Sequence, residues 1–365
     1  MTALTSLAQS VITFVVFLAM LAIIVIVHEL GHFVVARLAG VRVLEFGLGF
    51  PPRARVLRSE GETLYTLNWL PIGGFVKLEG EDGDSEDPRS FVSAALPVKL
   101  IILVAGVAMN LVLAFAIMTG IALLPNPALT WTVTSIQVDS PAATAGLAIG
   151  DEILAINGTY YDQYGPTVLD VLRASAGQSV TLTVRRADGQ VTELPVRLRD
   201  PSQLSSSPGA LGITAHGQLS DHTATHDPPT ALRLGAERTG SAFLLILRGL
   251  GDLGESIINR PTEAPPVQGP IGIAVSVGEV FWQQGPIATL FLAGLLSANL
   301  ALVNILPLPP LDGGRMLMIL IRAIVGKRLS LQVERLTYVV GFGFLMALIA
   351  WISFFDIARS VGGGQ

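Results

Sequence analysis

The stretch Val11-Ile12-Thr13-Phe14-Val15-Val16-Phe17-Leu18-Ala19-Met20-Leu21-Ala22-Ile23-Ile24-Val25-Ile26-Val27-His28-Glu29-Leu30-Gly31-His32 decides how the chain is read. It begins as an uncharged run long enough to enter a bilayer, which takes about 20 residues to cross. It ends with three ionisable side chains in five positions. The first ten residues hold no Lys or Arg, and the apolar run is long for the core of a secretory signal. It therefore reads as a retained span, continuing past His28 toward Ala36.

Three further runs have the same character: Leu100 to Leu124, Pro286 to Leu311 and Leu336 to Phe355. Composition agrees. Of 365 residues, 51% are hydrophobic and 14% charged, against roughly 25% charged in an average soluble domain. Mean hydropathy is +0.60. Net charge is −5, without a long basic run, which argues against nucleic acid as a partner. There is no cysteine. Disulfides and thiolate chemistry are thereby excluded, and any metal must be held by His, Asp or Glu.

Charge in the short loops sets the expected orientation. Residues 37–99 hold eight Lys or Arg, and the segment between the third and fourth spans holds five: Arg315, Arg322, Lys327, Arg328 and Arg335. Both segments are expected in the cytoplasm, despite the acidic run Glu79–Asp87. Both termini and residues 125–285 are then outside. Within that outer region, residues 129–199 alternate apolar and polar in the manner of strands. Residues 200–230 read as linker, with Ala210–Thr214 as a possible added strand. Residues 231–258 read as a helix whose apolar centre, Phe243–Leu247, is too short to span, so an interfacial position is expected.

His28-Glu29-Leu30-Gly31-His32 carries the chemistry. On a helix, positions i and i+4 share a face, so both imidazoles can bind one metal beside the Glu29 carboxylate. A catalytic zinc needs three protein ligands and an open position. The bland alternative is a polar cluster facing another helix. Against it, ionisable groups within a span cost a few kcal/mol each on insertion scales. The third ligand must come from elsewhere. The second and fourth runs have no Asp, Glu or His. At the end of the third, Asn304-Ile305-Leu306-Pro307-Leu308-Pro309-Pro310-Leu311-Asp312-Gly313-Gly314 breaks the helix and presents one carboxylate, Asp312. Taken alone, Asp312 also reads as a helix-end carboxylate.

These paired motifs resemble the site-2 protease family of intramembrane zinc metalloproteases. Four spans with one PDZ-like segment between the second and third are similar to its regulator-of-sigma-E branch, and the resemblance covers almost the whole chain. It implies a polytopic α-helical membrane protein with four transmembrane helices, a cytoplasmic membrane-associated β-hairpin and one extracytoplasmic PDZ-like β/α domain. The implied divisions are 1–124 (two spans, with the hairpin in 56–80), 129–199 (PDZ-like), 200–285 (linker and interfacial or re-entrant helix) and 286–365 (two spans). The resemblance implies Zn2+ as cofactor, with His28, His32 and Asp312 as ligands and Glu29 as general base. Asn304 would position the substrate backbone or the oxyanion. The family's hairpin matches Tyr65–Leu78, where Gly73, Gly74 and Phe75 would pair with unwound substrate.

The family's second span carries a Gly-Pro-x-x-Asn motif. Here it reads Gly106-Val107-Ala108-Met109-Asn110, so the proline that would kink the helix is absent, while a close helix contact at Gly106 and a hydrogen bond from Asn110 near substrate are still expected. Implied partners are the lipid bilayer and a single-span membrane protein, such as an anti-sigma factor or a remnant signal peptide. The implied location is a bacterial inner membrane.

Other stretches are expected to carry less. Ser140–Gly158 resembles the core of bacterial PDZ domains, which bind peptides or C-termini, and a purely steric gate is the alternative. Asn157-Gly158-Thr159 is formally a glycosylation sequon but is expected to be a turn. Gly47-Leu48-Gly49-Phe50 is expected as a structural turn. His216, His222 and His226 are expected as solvated loop histidines. Gly269–Ala274 resembles a family segment leading into the third span. Two functions of other classes fit parts of this pattern: a metal-ion transporter and an inactive PDZ-bearing scaffold. The transporter lacks ionisable groups in the second and fourth spans, and the scaffold has no use for Glu29.

Overall fold

The computed structural model describes residues 3–59, 61–81, 85–204, 209–326 and 331–362. Lys327, Arg328 and residues 82–84 of the acidic run lie outside them. Contacts divide the chain into two units, residues 1–117 with 239–365, and residues 118–238.

The first unit is mainly helical. It contains α1 (Ala3–Leu38), most of α2 (Leu96–Leu123), and the strands β1 (Val43–Arg58) and β2 (Leu64–Leu78) between them. Among the described residues, four helices are long and apolar enough to cross a membrane: Leu7–Leu38, Leu96–Leu123, Gly285–Ile305 and Leu336–Arg359. These coincide with the four runs expected from hydropathy apart from shifted ends, two of which bear on the chemistry. The third helix stops at Ile305 rather than Leu311, because a residue before a proline is driven out of the α region. Leu306, before Pro307, is extended at φ −61°, ψ 141°. The fourth extends past Phe355 and takes in Asp356, so that span does hold a carboxylate.

β1 and β2 make more than a simple hairpin. Gly47 pairs with Phe75 and also with Thr66, and Leu48 with Gly74 and Leu67. The first half of β1 thus lies between the two halves of β2. The strand pair is longer than the Tyr65–Leu78 element expected. Gly47–Phe50 belongs to β1 rather than to a turn, with Gly49 at φ +80° relieving the strand as it passes the Leu70 carbonyl.

The second unit is built on a six-stranded sheet. Its elements are β3 (Asn126–Ile136), α3 (Pro141–Thr144), β4 (Glu152–Ile156), β5 (Thr159–Tyr160), α4 (Val168–Ala174), β6 (Ser179–Arg185), β7 (Val191–Arg197) and β8 (Ile213–Ala224). The order is β7-β6-β4-β3-β8, with β5 on β4. Alternate residues of β6 (Val180, Leu182, Val184) enter a core with Val133, Ile153 and Leu172, as expected of strands half-buried on one face. Ser140 caps α3 by accepting the Ala143 N–H, and Gly146 follows it at φ +76°. Asn157 and Gly158 both have positive φ between β4 and β5, and Asn157 Oδ1 accepts the Thr181 N–H at 2.8 Å. That is turn chemistry.

The expected linker at 200–230 holds a 12-residue strand instead. β8 pairs with β3 from Ile136↔Ile213 to Asn126↔Ala224. Its alternation was hidden because the inward positions include Ala215 and Gly217 rather than large apolar residues.

Among the described residues, five helices complete the chain: α5 (Pro228–Asn259), α6 (Pro270–Gln283), α7 (Gly285–Ile305), α8 (Asp312–Val325) and α9 (Leu331–Gly362). α8 occupies what hydropathy left as a loop. Within the second unit, the start of α5 is anchored by Arg238, whose Nη2 donates to both oxygens of Asp162 at 2.7 and 2.9 Å. Both side chains are almost wholly buried. Removing one member strands the other in low dielectric, at a typical cost of about 3–5 kcal/mol. Asp162→Ala is therefore expected to speed hydrogen exchange in β3 and β8 of the full-length protein markedly. Replacing both members, Asp162→Leu with Arg238→Met, should cost less than the single change.

Candidate metal centre

α1 presents His28 and His32 one turn apart on the same face, as the spacing requires. Their Nε2 atoms are 3.2 Å apart. Asp312, the first residue of α8, brings Oδ2 to 3.0 Å from His28 Nε2 and 3.3 Å from His32 Nε2. Among the described residues, these three form the group of His and carboxylates able to hold a metal ion. Zinc bonds of about 2.0–2.1 Å in a tetrahedron place ligand atoms roughly 3.3 Å apart. The observed triangle of 3.0, 3.2 and 3.3 Å therefore fits three corners of a zinc tetrahedron.

The imidazoles are oriented from behind. His32 Nδ1 lies 2.8 Å from the Ile102 carbonyl of α2. Donation of Nδ1–H there leaves the Nε2 lone pair facing the triangle. His28 Nδ1 lies 3.4 Å from the Asn110 amide, whose Oδ1 is buried without a partner. Exchanging the amide's N and O, an assignment made from the network, lets Oδ1 accept from His28 Nδ1–H. Asn110 is wholly buried, and its backbone carbonyl accepts Ser297 Oγ–H at 2.8 Å. The structure thus places Asn110 behind the His28 imidazole.

Close approach of α1 and α2 depends on two glycines. A Cβ at Gly106 would lie 2.4 Å from His32 Nε2 and 2.7 Å from His28 Cε1. One at Gly31 would lie 2.4 Å from the Ala105 carbonyl oxygen. α2 is helical throughout this stretch, so Val107 in place of proline leaves the helix continuous. Asp312 is fixed by a similar device. Cβ atoms at Gly313 and Gly314 would collide with the backbone of Ile305 and Leu308, so the start of α8 nests against the extended segment after α7.

Three other expected residues meet here. Asn304, near the end of α7, brings Nδ2 to 3.4 Å from His28 Nε2. Gly74 is buried, and a Cβ there would be 3.5 Å from Glu29 Cγ; β2 therefore passes alongside the Glu29 side chain. Gly73 has φ +87° and makes the bend before that passage. Phe75 points differently, its ring covering Gly47 of the paired strand, where a Cβ would be 2.3 Å away. Elsewhere, His216 and His222 lie on β8 rather than in a loop. Half-buried His226 follows the strand, and burial pushes its imidazole below the ordinary value.

One polar residue escaped the sequence reading. Asp356, buried in α9, accepts the N–H groups of Gly269 and Gly272 at 3.0 and 2.9 Å. It caps the start of α6, where carboxylates are favoured, and both glycines leave the space it needs. An acid in the last turn of an apolar span was the available signal.

Similarity to known proteins shows the family of the chain. The model of Peptidase family M50 matches residues 16–348, so the chain belongs to that family. A protein of Nostoc sp. (strain PCC 7120) named "Putative zinc metalloprotease all3971" is 32% identical, over 91% of this chain and 92% of its own. "Zinc metalloprotease RasP" of Geobacillus kaustophilus is 26% identical, over 96% of this chain and 98% of its own. "Probable membrane metalloprotease ARASP2, chloroplastic" of Arabidopsis thaliana is 31% identical, over 87% and 73%. The protein is a zinc-dependent membrane metalloprotease of the site-2 type.

Gly106→Ala is expected to displace an imidazole and cost about 100-fold in peptide cleavage, the usual effect of an ångström-scale misplacement. Metal analysis of the purified variant should show substoichiometric zinc, while its circular dichroism stays helical.

Proposed function

We propose that this protein hydrolyses a peptide bond within the transmembrane segment of single-span membrane proteins, such as an anti-sigma factor or a remnant signal peptide. His28, His32 and Asp312 hold the zinc, and Glu29 is the general base. The observation that carries this reading is the triangle of ligand atoms joined to a carboxylate on the next residue of the same helix. Zinc held there supplies Lewis acidity, making a water acidic enough to lose a proton near neutral pH and polarising the scissile carbonyl. The carboxylate of Glu29 takes that proton and hands it to the departing amine nitrogen. Asn304, beside His28 Nε2, donates its amide N–H to the carbonyl oxygen as charge develops there.

A helical peptide bond is shielded by its own hydrogen bonding, so the substrate must be extended before it is cut. The segment Gly73–Leu78 is suited to receive it by strand addition. It has one pairing partner in β1, and its Gly74 lies beside Glu29. Asn110 acts by holding His28. The sheet of the second unit serves as a PDZ-like domain outside the membrane. It filters substrates by size, so that only those already trimmed by another protease enter, or it holds a peptide or C-terminus. The proposed location is a bacterial inner membrane, and the loop charges favour an orientation with the hairpin in the cytoplasm and both termini outside.

Purified protein in detergent should cleave a tagged single-span substrate. Glu29→Gln is expected to lower the rate by about 10²–10⁴-fold, the range for a general acid–base, with zinc retained. Asp312→Ala should lose zinc and activity together. Equal cleavage by wild type and Glu29→Gln would sink the assignment. A chelator should abolish cleavage and added zinc restore it, and insensitivity to both would exclude a metal-dependent cut.

A further inference from the structure

Asp312 begins a helix whose next two residues have no side chains. Gly313 and Gly314 let α8 nest against the backbone of residues 305–309, with no side chain of their own to fix its rotation. Arg315, one turn after Asp312, is the first side chain that can help to fix it. Its guanidinium Nη1 forms an ion pair with Oε1 of Glu81, 234 residues away in the chain. The other oxygen of Glu81 accepts the Leu78 backbone N–H at 3.0 Å. The carboxylate is thus bound at once to the last residue of β2 and to the first turn of α8. It is largely withdrawn from water, 13% exposed, so the pair is directional rather than loosely screened.

The pair borders the core shared by the two elements. Leu78 packs with Ile102 and Leu103 of α2, and Met316 and Ile319 of α8 lie against the same cluster. Ile102 is the residue whose carbonyl orients His32. Farther along the same strand, Gly74 lies beside Glu29. One strand therefore touches the general base at one end and, through Glu81 and Arg315, the helix of the third ligand at the other.

We propose that Glu81 and Arg315 are positioning residues for Asp312. Their ion pair sets the roll of α8, and with it the distance of the Asp312 carboxylate from the two imidazoles. By the same bond, displacement of the β2 edge is transmitted to the metal site. This rests on Asp312 being the third zinc ligand.

The test compares zinc affinity, by chelator competition, and cleavage kinetics for full-length protein in detergent. Glu81→Gln and Arg315→Gln are each expected to weaken zinc retention by about 10–100-fold, as outer-shell changes commonly do. They should lower kcat more than they change KM. The double Gln variant should be no worse than either single, since one bond is lost in all three. The reversed pair, Glu81→Arg with Arg315→Glu, should recover part of the lost zinc affinity, a readout that a pair serving only fold stability would not move. Wild-type zinc affinity in both singles, multiplied losses in the double, or no recovery on reversal would each overturn the proposal. Should a Gln variant aggregate, Glu81→Asp and Arg315→Lys keep the charges while shifting the headgroups, and the same zinc comparison decides. Asp312→Ala separates the two levels. If it binds zinc like wild type, the ligand assignment fails. If it releases zinc while the Glu81 and Arg315 variants retain it, only the positioning fails.

Discussion

Everything in the membrane-spanning unit answers to one constraint: polar groups placed in apolar helices must each find a partner. His28, His32 and Asp312 meet within 3.0–3.3 Å of one another, at positions where an unpartnered ionisable group costs about 2.5–3.5 kcal/mol on insertion scales. That meeting requires α1 and α2 to approach closely, which explains Gly31 and Gly106. It requires the third spanning helix to stop before Asp312, which explains Pro307, Pro309 and Pro310. It also requires backbone or amide partners for the far side of each imidazole, which Ile102 and Asn110 supply. Helix packing, helix breakage and side-chain orientation thus follow from a single polar cluster.

Under the proposed function, the β1–β2 sheet extends this logic to the substrate. A protease acting on a helix needs somewhere for the unwound strand to satisfy its hydrogen bonds, and a sheet edge is the economical solution. The bend at Gly73 and the missing side chain at Gly74 bring such an edge to the Glu29 carboxylate without a steric barrier.

What could be read from the sequence was local in the chain. The His-Glu-x-x-His spacing works because helical periodicity is fixed, and the Leu311-Asp312-Gly313-Gly314 break because proline and glycine have stereotyped backbone effects. The spans were legible from hydropathy, and the Asn157-Gly158 turn from its residue types. Features joining distant residues were not. β8 was hidden because Ala215 and Gly217 replace large side chains on its inward face, so alternation was present in burial but faint in hydropathy. Asp356 lay one residue beyond the apolar run. Its role became visible only beside Gly269 and Gly272, 87 and 84 residues earlier. The role of Glu81 depends on Arg315, farther still. Gly47–Phe50 misled because glycine-rich segments signal turns more often than strands that bend.

The placement of the two motifs at opposite ends of the chain has a consequence during synthesis. His28 precedes Asn304 by 276 residues. At about 5–20 residues per second, the ribosome takes roughly 15–55 s to cover that distance. Throughout that interval a nascent chain holds two imidazoles and the Glu29 carboxylate, but neither Asn304 nor the Asp312 carboxylate that closes the triangle. A protease able to cut membrane segments is therefore unarmed while its own later spans are being inserted, and its competence is dated to the arrival of its last quarter.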